Sequence, residues 1–140
     1  MRFWDSSAIV PLCLTEPTSK HIQKILREDE DIVVWWATRI ECLSAFERRR
    51  REGILHAEAA SNAKKVLVSL AAGWSEVLPS ELVRRRAERL LATHALRAAD
   101  ALQLAAALVW AEEAPEALDL ISFDQNLREG ALKEGFTVLP

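Results

Sequence analysis

Short apolar runs alternate with longer stretches of helical periodicity along this chain, and that alternation limits the possible folds more than any other feature. Strands that are continuous apolar runs are typical of parallel strands covered by helices on both faces. The alternation therefore predicts an α/β fold, a three-layer α/β/α sandwich around a mostly parallel sheet of about five strands. Residues 1–140 contain no linker, repeat or low-complexity tract and are expected to form one domain.

The expected elements follow the periodicity of the apolar residues. Strands are predicted at 2–5, 32–36, 118–123 and 136–139, with a fifth candidate at 74–78. Helices are predicted at about 6–14, 18–28, 38–51, 54–72, 80–93, 98–113 and 125–134. Gly53 and Gly135 stand where helices are expected to end, and Pro17 and Pro79 where helices are expected to begin.

Charge and cysteine content limit the setting in which the protein works. The 18 basic and 21 acidic side chains give a net charge of −3, so no overall positive field attracts nucleic acid or lipid. Cys13 and Cys42 match no metal-binding or redox spacing and are expected to be buried thiols in a reducing cytosol. We find no signal peptide and no apolar run of membrane-spanning length, which favours a cytoplasmic location without membrane contact.

Four acidic residues fall where an open α/β sheet binds its ligands, outside the carboxyl ends of the strands. Asp5 ends the first predicted strand, and Asp124 directly follows the fourth. Glu41 lies in the first helical turn after the second strand. Asp100 lies near the start of a long apolar helix, and only the tertiary fold can bring it to the same edge.

Three of these acids also have ordinary structural explanations. Asp5 and Asp124 can each cap the helix that follows, because a short side-chain oxygen accepts hydrogen bonds from free helical N–H groups. Thr38 and Glu41 match a capping box, in which the Glu side chain turns back to the Thr backbone. Local sequence leaves these alternatives open.

Asp100 is less easily explained by local structure. Residues 98–111 are apolar nearly all round, which indicates a buried helix that carries one charge. A buried carboxylate must be paired, metal-bound or protonated. Arg97 is the charged neighbour that could pair with it, so a salt bridge to Arg97 stays open as the alternative to a ligand site.

Four carboxylates at one sheet edge repel one another unless a cation lies between them. Oxygen ligands select hard ions such as Mg²⁺ or Mn²⁺, which usually keep several waters and are shared with a phosphate substrate. The four acids therefore predict metal-assisted phosphoryl transfer, in which a metal-activated water attacks and the leaving oxygen is stabilised.

Five segments together carry a family pattern. They are Phe3-Trp4-Asp5-Ser6-Ser7-Ala8, Glu41 after the second strand, Leu96-Arg97-Ala98-Ala99-Asp100-Ala101-Leu102-Gln103-Leu104-Ala105, Ser122-Phe123-Asp124 and Gly135-Phe136. In order and spacing they resemble a PIN domain across the whole chain. The segment around Asp100 and the compact size are most similar to VapC, the toxin of VapBC toxin–antitoxin pairs.

The resemblance implies a metal-dependent endoribonuclease that leaves 5′-phosphate and 3′-hydroxyl ends. It also implies a cognate antitoxin that holds the enzyme inactive, and a homodimer is expected to dock with that antitoxin. By the same resemblance Asp5 and Asp100 hold the metal most directly, while Glu41 and Asp124 complete the catalytic quartet. Ser7 matches a hydroxyl that orients a carboxylate or water.

Asp119 competes with Asp124 for the fourth position. Strand alternation favours Asp124, because Asp119 lies within the predicted strand and Asp124 at its carboxyl end. Glu16 lies near the site in similar proteins and is not assigned a role.

Two groups of arginines are candidate contacts for RNA phosphates. Arg48 and Arg49 belong to a run of four arginines before Gly53, which could equally complement a helix dipole. Arg84 and Arg85 belong to the second group. The five tryptophans are expected mainly in the core rather than stacked on bases.

Three other functions are compatible with acids at a sheet edge. A phosphoacceptor receiver domain needs adjacent acids after the first strand, whereas serines follow Asp5. A phosphatase of the haloacid-dehalogenase type needs an Asp-x-Asp pair, and Ser7 occupies its second position. A PIN-like binding module that does not cleave its ligand stays open as the main alternative.

Overall fold

A sheet of five short strands lies at the centre of the protein, for which a computed structural model describes all 140 residues. The strands are β1 (Arg2–Trp4), β2 (Ile32–Trp35), β3 (Ser75–Val77), β4 (Asp119–Ile121) and β5 (Thr137–Leu139). They lie in the order β3-β2-β1-β4-β5, and every neighbouring pair is parallel. The predicted five-stranded α/β/α architecture is confirmed.

Seven helices connect and follow the strands. They are α1 (Ser6–Cys13), α2 (Ser19–Glu28), α3 (Thr38–Arg51), α4 (Ala57–Ala71), α5 (Glu81–Thr93), α6 (Ala98–Trp110) and α7 (Gln125–Glu134). The sequence prediction extended two of them too far. The backbone N–H groups of Ile54 and Leu55, which were predicted to begin a helix, donate back to the Arg49 carbonyl, so α4 begins only at Ala57. Glu112 and Glu113 have φ values of 51° and 62°, which end the helix that was predicted to reach 113.

The pleat of the strands divides the core into two layers, because successive side chains point to opposite faces. Phe3 of β1 is in register with Val33 of β2 and Leu120 of β4, and all three face α5, α6 and α7. Trp4 and Ile121 face the other layer, which is built by α1, α2, α3 and α4. Each helical layer therefore buries its own face of the sheet.

The strand order reverses between β1 and β4. From β1 the chain moves outward to β2 and β3, and from β4 it moves outward to β5 on the other side. Such a reversal leaves a crevice at the carboxyl ends of the two central strands, where open α/β sheets bind ligands. Receiver domains have the order 2-1-3-4-5, so the receiver alternative is incompatible with this topology.

The end of α7 supplies a test of the fold. Gly135 closes this helix with a φ of 105°, and a Cβ there would meet Pro115 Cγ at 3.4 Å. We expect Gly135→Ala to lower the free energy of unfolding by about 1–2 kcal/mol, measured by urea denaturation, because this backbone region strongly disfavours a side chain.

Gly73→Ala is the matched control. Its Cβ would meet nothing nearer than the Leu70 carbonyl oxygen at 3.8 Å. This variant is expected to keep its stability or gain up to about 1 kcal/mol. An equal loss in the two variants would contradict the assignment of strain to Gly135.

Candidate active site

An open cleft of about 730 Å³ occupies the carboxyl edge of the sheet at the strand reversal. All four acids selected from the sequence, Asp5, Glu41, Asp100 and Asp124, line this cleft. They come from the end of β1 and from the first turn of α3, the first turn of α6 and the start of α7. The fold therefore brings together four residues, of which the first and the last are 119 positions apart in the chain.

Asp119 does not belong to the cleft. It begins β4, at the amino end of the strand, and its Oδ2 accepts a hydrogen bond of 3.0 Å from Arg2 Nε. Of the two candidates for the fourth acid, the structure places only Asp124 with the other three.

Asp5 is held by neutral hydrogen-bond donors. Its side chain is 4% exposed, and Oδ2 accepts from the hydroxyls of Ser7 and Ser122 and from the Ser7 backbone N–H at 3.2 Å. The backbone contact makes Asp5 the N-cap of α1, so the capping explanation is correct and coexists with a place in the cleft. Burial raises the pKa of Asp5, and the two serine hydroxyls only partly offset that rise.

Ser122 is a site residue to which the sequence assigned no role. It is fully buried, donates to Asp5 Oδ2 at 3.0 Å and accepts from the Asp124 N–H at 3.0 Å. Ser7 joins the same two segments from the other side. Its hydroxyl donates to Asp5 Oδ2 and accepts from the Phe123 N–H at 2.8 Å. The signal was present in the sequence: a serine two residues before Asp124 mirrors the serine two residues after Asp5.

Glu41 does not form the capping box that its spacing from Thr38 suggested. The N-cap of α3 is Ala37, and no side chain caps the helix. Glu41 Oε2 instead accepts a hydrogen bond of 2.8 Å from Gln103 Nε2, which also donates to Thr38 Oγ1 at 3.1 Å. Burial raises the pKa of Glu41, and the charges of Asp5 and Asp100 raise it further against the lowering effect of Gln103.

Asp100 does not form the salt bridge to Arg97 that remained open. Its Oδ2 accepts from the backbone N–H of Arg97 at 3.3 Å, while no ion pair joins the two side chains. Partial burial raises the pKa of Asp100, and the charge of Asp124 adds to that rise. Asp124 caps α7 through a bond of 2.9 Å from the Leu127 N–H to its Oδ1.

The cleft carries negative charge that no protein cation neutralises directly. None of its four candidate carboxylates belongs to an ion pair. Such an oxygen-only donor set fits a hard divalent cation that also keeps water and substrate ligands, as Mg²⁺ and Mn²⁺ do. It is not a closed cage, because no three His, Cys, Asp or Glu side chains converge tightly enough to hold an ion alone.

The two groups of arginines lie in different places. Arg48 and Arg49 line the cleft, where Arg49 pairs with Glu16 at 2.7 Å and Arg48 has no acidic partner. Arg84 and Arg85 are exposed on α5 outside the cleft, and Arg84 pairs with Glu81 at 2.7 Å. The structure thus brings only the first group to the four acids.

The cysteines lie outside the cleft, and both are free thiols. Burial raises the pKa of Cys13 to about 12 and raises that of Cys42 as well, so both stay protonated near neutral pH. Of the tryptophans, Trp4 and Trp35 are buried in the core as predicted, whereas Trp36 is 46% exposed.

The fold and the cleft together define an α/β domain with an acidic site at its strand reversal. The model of the PIN domain matches residues 2–132, and the chain belongs to the PIN-domain family. No curated protein is a significant match. None of the helices combines the length and apolar character that a membrane crossing requires.

Two solved structures share the fold. The crystal structure of PAE2754 from Pyrobaculum aerophilum is 19% identical with a TM-score of 0.64, and the match covers 98% of this chain and 87% of that one. The crystal structure of FitAcB from Neisseria gonorrhoeae is 15% identical with a TM-score of 0.69, and the match covers 100% and 97% of the two chains. At these identities the likeness supports the architecture alone.

Burial of Asp100 and the nearby charge of Asp124 predict a gain of stability when this carboxylate is removed. Because the pKa of Asp100 is raised in the folded protein, its ionisation begins to disfavour folding as the pH rises through the unfolded pKa, and the cost is complete above the folded pKa. In EDTA at pH 7.5, Asp100→Asn should therefore melt a few degrees above the wild type. The difference should vanish only below about pH 3, well under the ordinary pKa of an aspartate, where the carboxyl group is protonated in folded and unfolded chains alike.

Asp119→Asn is the matched control for this measurement. It removes a carboxylate that is paired with Arg2, so no gain is expected at neutral pH. A lower melting temperature for Asp100→Asn than for the wild type at pH 7.5 would contradict the argument from repulsion.

Proposed function

We propose that this protein is an endoribonuclease that hydrolyses RNA phosphodiester bonds with Mg²⁺ or Mn²⁺ as its cofactor. The observation that carries the proposal is the convergence of Asp5, Glu41, Asp100 and Asp124 in one cleft without a cationic partner. The PIN family adds support, because its members are generally nucleases and typically use divalent metals.

Each of the four acids has a proposed part in the reaction. Asp5 and Asp100 would bind the metal most directly, and Glu41 and Asp124 would complete its surroundings. The metal would lower the pKa of a bound water and stabilise charge on the leaving oxygen. Hydrolysis joins the water oxygen to phosphorus and breaks the bond to the 3′-oxygen, which leaves 5′-phosphate and 3′-hydroxyl ends.

The protein's own residues would do the positioning. Ser7 and Ser122 fix the Asp5 carboxylate by hydrogen bonds, so its direction in the cleft does not depend on a ligand. Arg48 lines the cleft, is exposed and has no acidic partner, which suits it to a phosphate of the bound strand. An open cleft of about 730 Å³ leaves space for a single strand to reach the acids.

We further propose that the enzyme is the toxin of a VapBC-type pair, with a cognate antitoxin as its partner and a homodimer as its working form. The support is the resemblance of the segment around Asp100 to VapC together with membership of the PIN family. A coding frame for a small DNA-binding protein directly upstream, and arrest of growth by the wild type but not by Asp100→Asn, would support this role.

Cleavage of total cellular RNA tests the proposed activity. With Mn²⁺, the purified protein should produce discrete cuts with 5′-phosphate ends, and EDTA should abolish them. Asp5→Asn and Asp100→Asn should each slow cleavage by more than about 100-fold, because each removes a proposed metal ligand. End-group sequencing of the products measures both the rate and the ends.

Asp119→Asn is the control for those variants, since it lies outside the cleft and should retain cleavage close to that of the wild type. A protein that binds Mn²⁺ but makes no cuts would favour the non-catalytic binding module instead. Full activity in Asp100→Asn would exclude the proposed site.

Binding of single-stranded RNA at several salt concentrations tests Arg48. In an Asp100→Asn background that cannot cleave, Arg48→Ala should weaken binding and reduce the slope of log affinity against log salt by about 0.7, the loss of one phosphate contact. Arg84→Ala is the matched control, because that arginine is paired with Glu81 outside the cleft. Equal losses of affinity and of salt dependence in the two variants would contradict a phosphate contact made by Arg48.

A further inference from the structure

Gln103 is a buried polar residue in an otherwise apolar helix. It lies one turn after Asp100 on α6, is 1% exposed and is surrounded in sequence by alanine and leucine residues that belong to the core. Residues three positions apart share a face of a helix, so Gln103 lies on the same face as Asp100. The side of α6 that faces the cleft therefore carries a carboxylate and, one turn later, an amide.

The amide reaches across to the other helical layer. Its Nε2 donates to Glu41 Oε2 at 2.8 Å and to Thr38 Oγ1 at 3.1 Å, both on α3. The helices α3 and α6 pack against opposite faces of the sheet. Gln103 thus connects the two layers at the edge where the cleft lies, and it does so through a carboxylate of the cleft.

The other end of the amide argues against a purely structural role. Gln103 Oε1 is buried and has no hydrogen-bond partner. An unsatisfied buried carbonyl is destabilising, and an apolar side chain of similar size would avoid it. A residue chosen for packing alone would not need an amide here, whereas a residue that must hold an ionised carboxylate needs the Nε2 donor.

We propose that Gln103 is a positioning residue that fixes Glu41 in the orientation needed for metal binding, an inference that rests on the proposed metal site. Two donor hydrogens on one nitrogen match two acceptors on α3, and the hydrogen bond that positions the cleft carboxylate is the one to Glu41. Because Gln103 is neutral, it restrains the carboxylate without neutralising the charge that would attract a cation. Mutation of a residue that hydrogen-bonds to a metal ligand typically lowers the metal affinity by about 10–100-fold.

Mn²⁺ titration by calorimetry, without RNA, tests the proposal. Gln103→Met keeps a similar volume and removes both hydrogen bonds and the unpaired carbonyl. It should still fold in EDTA, yet bind Mn²⁺ about 10–100-fold more weakly. In a Glu41→Gln background the same change should have little further effect, because the carboxylate that it positions is gone.

Thr38→Val is the matched control, since it breaks the other hydrogen bond of the same amide and leaves the bond to Glu41 in place. A simple tie between the layers would make both variants equally harmful. Equal weakening of Mn²⁺ binding by the two would therefore overturn the proposal. If Gln103→Met does not fold, Gln103→Asn repeats the test with an amide that is too short to reach Glu41.

The outcomes separate this inference from the proposed function. If the wild type binds Mn²⁺ and Gln103→Met binds it equally well, the positioning role is excluded while the proposed metal site stands. If the wild type binds no Mn²⁺, both are excluded together. Binding that is weakened in Gln103→Met and preserved in Thr38→Val supports the role, whether or not RNA is cleaved.

Discussion

The constraint on which the rest of this structure depends is uncompensated negative charge at the carboxyl ends of β1 and β4. Burial raises the pKa of Asp5, Glu41 and Asp100, and the charges of acidic neighbours raise the pKa of Glu41 and of Asp100 further. Such an arrangement disfavours folding on its own, and the sheet, its two helical layers and the serine hydroxyls must hold it in place. The strand reversal makes this possible, because it opens a crevice between two central strands whose ends both carry an acid.

The same atoms that form ordinary helix caps also build the cleft. Asp5 and Asp124 each accept a bond from a free backbone N–H, as a cap requires, and each lines the cleft. A carboxylate has two oxygens and several lone pairs, so one cap bond does not exhaust it. The cap also fixes the backbone from which the side chain projects. Local and functional explanations of an acid after a strand are therefore not exclusive, and a cap can orient a ligand.

The sequence predicted those parts of the fold and site that depend on short-range order. Apolar runs located the five strands, and helical periodicity located the seven helices, with errors at residues 54–56, which precede the start of α4, and at Glu112, whose positive φ angle follows the end of α6. Strand ends located Asp5 and Asp124. The capping box predicted at Glu41 was wrong, because Gln103, 62 positions away, donates a hydrogen bond to the Glu41 carboxylate instead. No local pattern contains that competitor, and the role of Ser122 likewise depends on the pairing of β1 with β4.

The side-chain donors that hold Asp5 and Glu41 are neutral, and the arginines that line the cleft do not pair with any of the four candidate acids. Ser7, Ser122 and Gln103 hold carboxylates through hydroxyl and amide groups, whereas Arg49 pairs with Glu16 and Arg48 with no acid. An arginine paired with Asp5 or Glu41 would neutralise the charge and compete with any incoming cation. Neutral donors fix the geometry and leave the charge in place. In the proposed enzyme this division matters, since the acids can then attract a divalent ion while Arg48 attracts the phosphate that the ion is to act on.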